Sequence, residues 1–270
     1  MASSQRPQAP AGGVPGGPAA RTLRIDLCWD GTGFLGWQRQ AQGRTVQGEL
    51  EAALARVLGA PHAVVGAGRT DAGVHARRAV ASLPTSHAME AARLGRALEA
   101  LLPPDIGILR VREAAPGFHA LRDARWKWYR YRLLVAPRRR PLAERTAWRV
   151  RELPPLAALQ AAAGPLCGTH DFASMASAGS PREHTVRTLS LLRWTRRGRH
   201  AWLDVVGDGF LYKMVRTMVG TMLAAARTGD PASAAGATLA SLDRASAPAP
   251  APAHGLCLQD VGYGTRPPPS

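Results

Sequence analysis

In "LRIDLCW" the apolar Leu23, Ile25, Leu27 and Trp29 alternate with Arg24, Asp26 and Cys28, the period of two that a half-buried strand requires. The period then changes. In "TVQGELEAALARVLGAP" Val46, Leu50, Leu54 and Val57 fall on one helical stripe, and Gly59 with Pro61 stops it. "HAVVGAG" predicts a short strand over 62–68, and "AARLGRALEALLPP" a helix over 91–104 ended by Pro103 and Pro104. "DIGILRVREA" and "RWKWYRYRLLV" predict further strands, and "RRRPLAERTAW" an exposed basic connector.

Beyond it the pattern predicts a helix near 155–166, strands near 186–196 and 201–207, a long helix in "FLYKMVRTMVGTMLAAA", and a last strand at "LCLQDVGY". "SAPAPAPAHG" reads as a low-complexity spacer, its core being residues 246–253. The Pro/Gly/Ala-rich residues 1–21 and the stretch 265–270 read as loose tails. Strands mixed with helices, without regular βαβ alternation, imply an α+β fold with a mainly antiparallel sheet.

Composition sharpens this picture. Lys and Arg number 35 against 19 Asp and Glu, a formal charge of +16. Such an excess points to a polyanion, nucleic acid before membrane, because neutralising phosphates releases counterions; an Arg- and Ala-rich genome would raise the charge without any partner. With 46% hydrophobic residues the chain can bury a sizeable core. Cys28, Cys167 and Cys257 are far apart and form no C-x-x-C pair, which suggests neither a zinc site nor a disulfide framework and fits a reducing cytoplasm. The N-terminus has no apolar core of a secretory signal, and no apolar run is long enough to span a bilayer.

The stretch "GAGRTDAGVHARRA" holds a single carboxylate, Asp71, among glycines and cations. It lacks the spacing and the Lys-Ser/Thr ending of a phosphate loop, and an acid at its centre would repel phosphate. Read in isolation, Asp71 fits an Asx-turn or helix cap better; the surrounding cations bring in a nucleophile. Charges ~4 Å apart attract with a gross ~4 kcal/mol at an effective dielectric near 20, so a neighbouring guanidinium can keep a partly buried carboxylate charged. Gly66, Gly68 and Gly73 would let a flat ligand approach the backbone.

Two other segments bear on that choice. Counting a helix from Phe210, Lys213, Arg216 and Gly220 gather within roughly 60°, and a glycine there suggests close approach by another segment or a substrate. Arg216 is thereby the candidate partner of Asp71. In "RWKWYRYRLL" alternation puts Lys127, Tyr129, Tyr131 and Leu133 on one face and Trp126, Trp128, Arg130 and Arg132 on the other. Aromatics interleaved with cations suit stacking on unpaired bases; a core strand with snorkelling arginines explains the same pattern. His75, His119 and His170 have no metal-ligand spacing.

Taken together, "DGTGFLGWQRQ", "TVQGELEAAL", "GAGRTDAGVHA", "FHALRDARWKWYRYRL", "FLYKMVRTMVGTML" and "GLCLQDVGY" resemble, in type and order, the tRNA pseudouridine synthase A (TruA) family across residues 23–263. The resemblance implies an isomerase that converts uridine to pseudouridine at positions 38, 39 and 40 of tRNA. It implies two similar α/β lobes, over 22–145 and 146–264, sharing one extended sheet around a basic cleft. It also implies a homodimer acting without metal or organic cofactor. By the same resemblance Asp71 is the nucleophile, Arg69 displaces the target base, Tyr129 packs on the uracil and assists proton removal at C5, and Arg216 pairs with Asp71. Phe118, His119, Arg122, Arg187 and Lys213 are the implied substrate contacts. Leu121 stands where the family often carries Arg, which moves the expected tRNA contact to Arg122. Addition at uracil C6 and attack at C1′ stay open. A non-catalytic tRNA-binding module is the alternative, and such a module has no use for a buried acid facing phosphates. Base flipping costs a few kcal/mol, which backbone contacts offset.

Overall fold

The computed structural model describes residues 21–177 and 184–264. The expected tails, apart from Arg21, fall outside them, as does Arg182, which with Arg187 bounds a further stretch that the resemblance implies to contact tRNA. Arg21 itself opens β1 (Arg21–Trp29), whose Leu23, Ile25, Leu27 and Trp29 are buried as the alternation requires. Helix α1 (Val46–Leu58) starts where the Thr45 hydroxyl accepts from the Gly48 amide at 3.2 Å and stops at Gly59, whose φ is 74°. Its buried stripe ends on Leu58, with Val57 only partly covered.

The expected strand over 62–68 shrinks to β2 (Val65–Gly66), and the long strand beside it, β3 (His75–Thr85), was not foreseen. Strand β3 is central and covered on both sides, so Ala79, Val80, Ala81, Ser82 and Leu83 are all buried and no alternation marks it. Helix α2 (Ala91–Leu101) stops before Pro103 and Pro104, as expected of a residue preceding proline, and β4 (Ile106–Glu113) follows. Strand β5 (Trp126–Val135) lies where predicted. The supposed connector instead folds into α3 (Pro141–Glu144) and β6 (Trp148–Val150), the latter paired in parallel with β5.

The remainder comprises α4 (Leu156–Ala163), β7 (Gly168–Asp171), β8 (Val186–Arg197), β9 (His200–Gly207), α5 (Met214–Ala225), α6 (Pro231–Ala240) and β10 (Leu256–Gly262). Strand β7 and helix α6 were unpredicted. Helix α6 is nearly all alanine and small residues, so it carries no apolar stripe despite its Asp230 cap. Helix α5 starts at Met214, four residues later than the pattern suggested, because Lys213 takes a left-handed φ of 59°.

All ten strands belong to one sheet in the order β4-β1-β3-β10-β5-β9-β8-β7, with β2 on β3 and β6 on β5. Only β3–β10 and β5–β6 run parallel, which gives the α+β, mainly antiparallel class. The last strand thus sits between β3 and β5 and stitches the two ends of the sheet together. Helices α1 and α2 pack on each other and α2 on β4, whereas α4, α5 and α6 pack together with α4 on β8. One large apolar core runs through both groups, with a small separate cluster of Leu134, Ala136 and Ala147 beside it.

The sheet forks at β3. Its edge away from β1 is taken by β10 only at His75 and Ala76, and by β2 at Ala81 and Ser82. The loop bearing Asp71 leaves β2 and returns into β3 along this fork.

Candidate active site

The segment "DGTGFLGWQ" cradles the Asp71 loop by backbone contact. Trp37 N donates to Thr70 O at 3.1 Å, Gly73 N to Phe34 O at 3.2 Å, and the Trp29 indole to Val74 O at 3.0 Å. A Cβ on Gly31 would stand 2.2 Å from Val74 O, and one on Gly36 2.4 Å from Thr70 O. Gly36 also has φ of +100°, so both space and backbone demand glycine there. Val74 N closes the turn onto Asp71 O at 3.2 Å.

Asp71 meets Arg216 from the other end of the chain: Nη1 donates to Oδ2 at 2.8 Å, and both side chains are mostly buried, 16% and 14% exposed. Neither an Asx-turn nor a helix cap is formed by this carboxylate among the described residues. Arg216 is itself fixed on a second side, its Nε donating to Ala251 O at 2.7 Å while Ala251 N donates back to Arg216 O at 3.0 Å. One turn further along α5, a Cβ on Gly220 would come within 2.9 Å of Ala249 O. The glycine therefore admits the 247–252 segment, and that segment orients the guanidinium. It is no spacer: Ala247 and Ala251 are buried, and Pro252 O accepts from the Tyr131 hydroxyl at 2.8 Å.

Tyr129 completes the centre. It is buried, packs edge-on against Phe210 with ring centroids 5.1 Å apart, and lies near enough to Asp71 to feel its charge. Burial first, then the Asp71 carboxylate, pushes the phenol well above its ordinary range, so it stays neutral. Its hydroxyl has no hydrogen-bond partner among the described residues. A charged carboxylate, a fixed guanidinium and a neutral aromatic ring together suit nucleophilic attack on a flat, uncharged ring.

The remaining candidates spread along the fork. Arg69, exposed beside Asp71, makes no ion pair or hydrogen bond among the described residues. Phe118, His119 and Arg122 lie in a loop whose Ala120 N donates to the Ser82 hydroxyl at 3.1 Å. Ser82 is seven residues up β3 from His75, roughly 23 Å at ~3.3 Å per residue, and none of the three residues bonds to Asp71 among the described residues. Phe118 packs on Tyr263 with centroids 5.0 Å apart, and the His119 ring accepts from Arg122 N at 3.2 Å. Arg187 donates to His184 O and Val186 O at 2.8 and 2.6 Å. Lys213 is not on the Arg216 stripe, since it precedes the helix; its ammonium lies 4.7 Å from the Tyr212 ring centre.

The outer face of β5 resolves in favour of structure. Arg130 makes a two-pronged pair with Asp204, both bonds 2.8 Å, and lies over the Trp128 and Trp202 rings. Three contributors escaped the sequence reading: Gly36, the 247–252 segment and Lys127. Only Lys127 carried a signal, two positions from Tyr129 on the same strand face. Among the described residues no group of three or more His, Cys, Asp and Glu is placed to hold a metal ion, and no helix is long and apolar enough to cross a membrane.

A family model described as tRNA pseudouridine synthase matches residues 29–121 and 162–264. Curated relatives named tRNA pseudouridine synthase A include one from Pelobacter propionicus, 42% identical over 90% of this chain and 100% of its own. The relative from Moorella thermoacetica is 43% identical over 89% of this chain and 99% of its own, and that from Geobacter sulfurreducens 40% identical over 90% and 100%.

Proposed function

Because this chain belongs to the tRNA pseudouridine synthase A family, and is an isomerase acting on tRNA, we propose that Asp71 is its nucleophile toward an extruded uridine of the anticodon stem-loop, at positions 38, 39 and 40. The observation that carries this reading is the 2.8 Å pair between Arg216 Nη1 and Asp71 Oδ2 beside Tyr129. The reaction conserves atoms: the N1–C1′ bond breaks, C5 bonds to C1′, C5 gives up a proton and N1 gains one. Asp71 holds one fragment while the uracil turns, by addition at C6 or by attack at C1′.

Arg69 is the group that displaces the base, being a guanidinium next to the nucleophile with no partner among the described residues. Tyr129 packs on the uracil. Burial and then Asp71 keep its phenol neutral at rest, and its hydroxyl is the group beside the uracil that assists proton removal at C5. Arg122, His119 and Phe118 serve RNA further along the fork, and Arg187 and Lys213 the rim. No metal or organic cofactor enters, because neither redox change nor group donor is required. The chain acts as a cytoplasmic homodimer, as the resemblance implies, its lobes meeting near residues 145 and 146.

The test is nucleotide-resolution mapping of pseudouridine on unmodified tRNA treated with the wild type and with Asp71→Ala. The variant should bind tRNA yet form no pseudouridine; modification at the normal rate would remove Asp71 from the chemistry.

A further inference from the structure

Among the described residues Lys127 makes no ion pair and no hydrogen bond. Its ammonium lies against the catalytic loop, 3.3 Å from where a Cβ on Gly68 would stand. Asp208 acts on it by charge but stays beyond ion-pair reach, its Oδ1 already accepting from Thr188 N at 3.1 Å. The other charge felt by Lys127 is repulsive: Arg187, whose Nε lies 3.3 Å from the Cβ position of Gly209. Arg187 spends only Nη1 on carbonyls, leaving Nε and Nη2 without partners among the described residues. Burial first, and Arg187 next, pull the Lys127 pKa below that of a free lysine.

Two cations near enough to repel each other, with the Lys127 ammonium and the Arg187 Nε and Nη2 unused among the described residues, are relieved by an anion. Position identifies which one. Lys127 shares its strand face with Tyr129, two residues away or roughly 6.6 Å along β5. The uracil over Tyr129 carries no charge, and Asp71 repels phosphate from that end of the cleft. At one ribose's remove from the base, the anion a nucleotide offers is its own phosphate.

Resting on the placement of the target uridine at Asp71 and Tyr129, we propose that Lys127 and Arg187 form a clamp for a phosphate flanking that uridine. The clamp sets the register of the strand, so that the acid meets the base and the cations meet the backbone.

The experiment measures binding without turnover, so it remains readable whichever residue proves to be the nucleophile. Equilibrium binding of an anticodon stem-loop RNA is followed against salt for wild type, Lys127→Gln, Lys127→Arg and Arg187→Gln. Lys127→Gln and Arg187→Gln should each flatten the log K against log salt slope by about 1, and Lys127→Arg should restore it. The same RNA carrying a single neutral methylphosphonate beside the target uridine should bind wild type more weakly. It should bind Lys127→Gln no worse than unmodified RNA does. If Lys127→Gln does not fold, Arg187→Gln carries the same comparison. Wild-type salt slopes in the Gln variants, or a methylphosphonate penalty undiminished in them at both flanking phosphates, would overturn the clamp.

Discussion

Arg216 and Asp71, 145 positions apart in the chain, are joined by a 2.8 Å charged hydrogen bond, and the guanidinium reaches the carboxylate only because Ala251 O holds its Nε at 2.7 Å. A lysine keeps the charge but has one nitrogen for two acceptors. Arg216→Lys should therefore bind tRNA within about threefold of wild type while pseudouridine formation falls at least ~100-fold, equivalent to ~2.7 kcal/mol. Arg216→Ala should also lower folding stability by about 3 kcal/mol, because it strands a mostly buried carboxylate. Single-turnover kinetics and urea titration separate the two effects; equal rates for Lys and Arg at this position would mean that only charge is needed.

The loop's position depends on backbone contact as much as on charge. Gly36→Ala must strain a φ of +100° and place a methyl 2.4 Å from Thr70 O. A cost of about 2–4 kcal/mol is expected from the two effects together. Gly59→Ala is the control: its φ is +74° but nothing lies within 4 Å of the new Cβ, so only about 1–2 kcal/mol is expected. Urea midpoints of both variants check the difference, and activity in refolded Gly36→Ala should stay below wild type because Thr70 and Asp71 move together.

His75 ties stability to pH. It is buried, with Nδ1 accepting from the Gly31 amide at 3.0 Å, a bond that a protonated ring cannot accept. Burial lowers its pKa against the opposing pull of Asp30, and burial lowers that of His254 as well. Below the unfolded value near 6.5, the unfolded chain takes up protons that the folded chain refuses. Stability contributed by these groups is thus complete above pH ~6.5 and declines as pH falls toward the folded pKa values. The depressed Asp30 acts lower, below its unfolded value of 3.8. Urea midpoints between pH 8 and 5 should fall, and the fall should shrink in His75→Gln. An unchanged slope in that variant would assign the dependence elsewhere.

The elements that were legible in sequence are those whose two faces differ. The stripe of α1 separates wet from dry positions and β5 shows its aromatic alternation, whereas β1 alternates in residue type alone, its Arg24 and Asp26 being buried as a 2.6 Å ion pair. Strand β3 is buried on both sides and rich in alanine, so the strand that receives the Asp71 loop left no periodic trace. Segment 247–252 looks featureless because its role lies in main-chain atoms, the Ala249 and Ala251 carbonyls, which no side chain advertises. Asp71 and Arg216 were readable from glycine content and charge. Lys127 needed the third dimension, since its neighbours Gly68, Arg187 and Asp208 come from three separate segments.

The aromatic and cationic outer face of β5 allows a sharp separation of RNA contact from architecture. Arg130 binds Asp204 through two 2.8 Å bonds, and the Trp128 indole donates to the same carboxylate at 2.7 Å. Because the Asp204 side chain is only 11% exposed, removing its cation leaves a charge that water cannot reach well. Arg130→Gln should destabilise the fold by about 3 kcal/mol. The tRNA affinity of the folded fraction, and its salt slope, should match wild type, because this guanidinium is already committed within the protein. Exposed Arg69 gives the contrasting case: Arg69→Gln should leave the urea midpoint within about 0.5 kcal/mol of wild type while pseudouridine formation drops. Parallel urea and binding titrations decide the matter, and a flattened salt slope in Arg130→Gln at unchanged stability would return that face to the RNA.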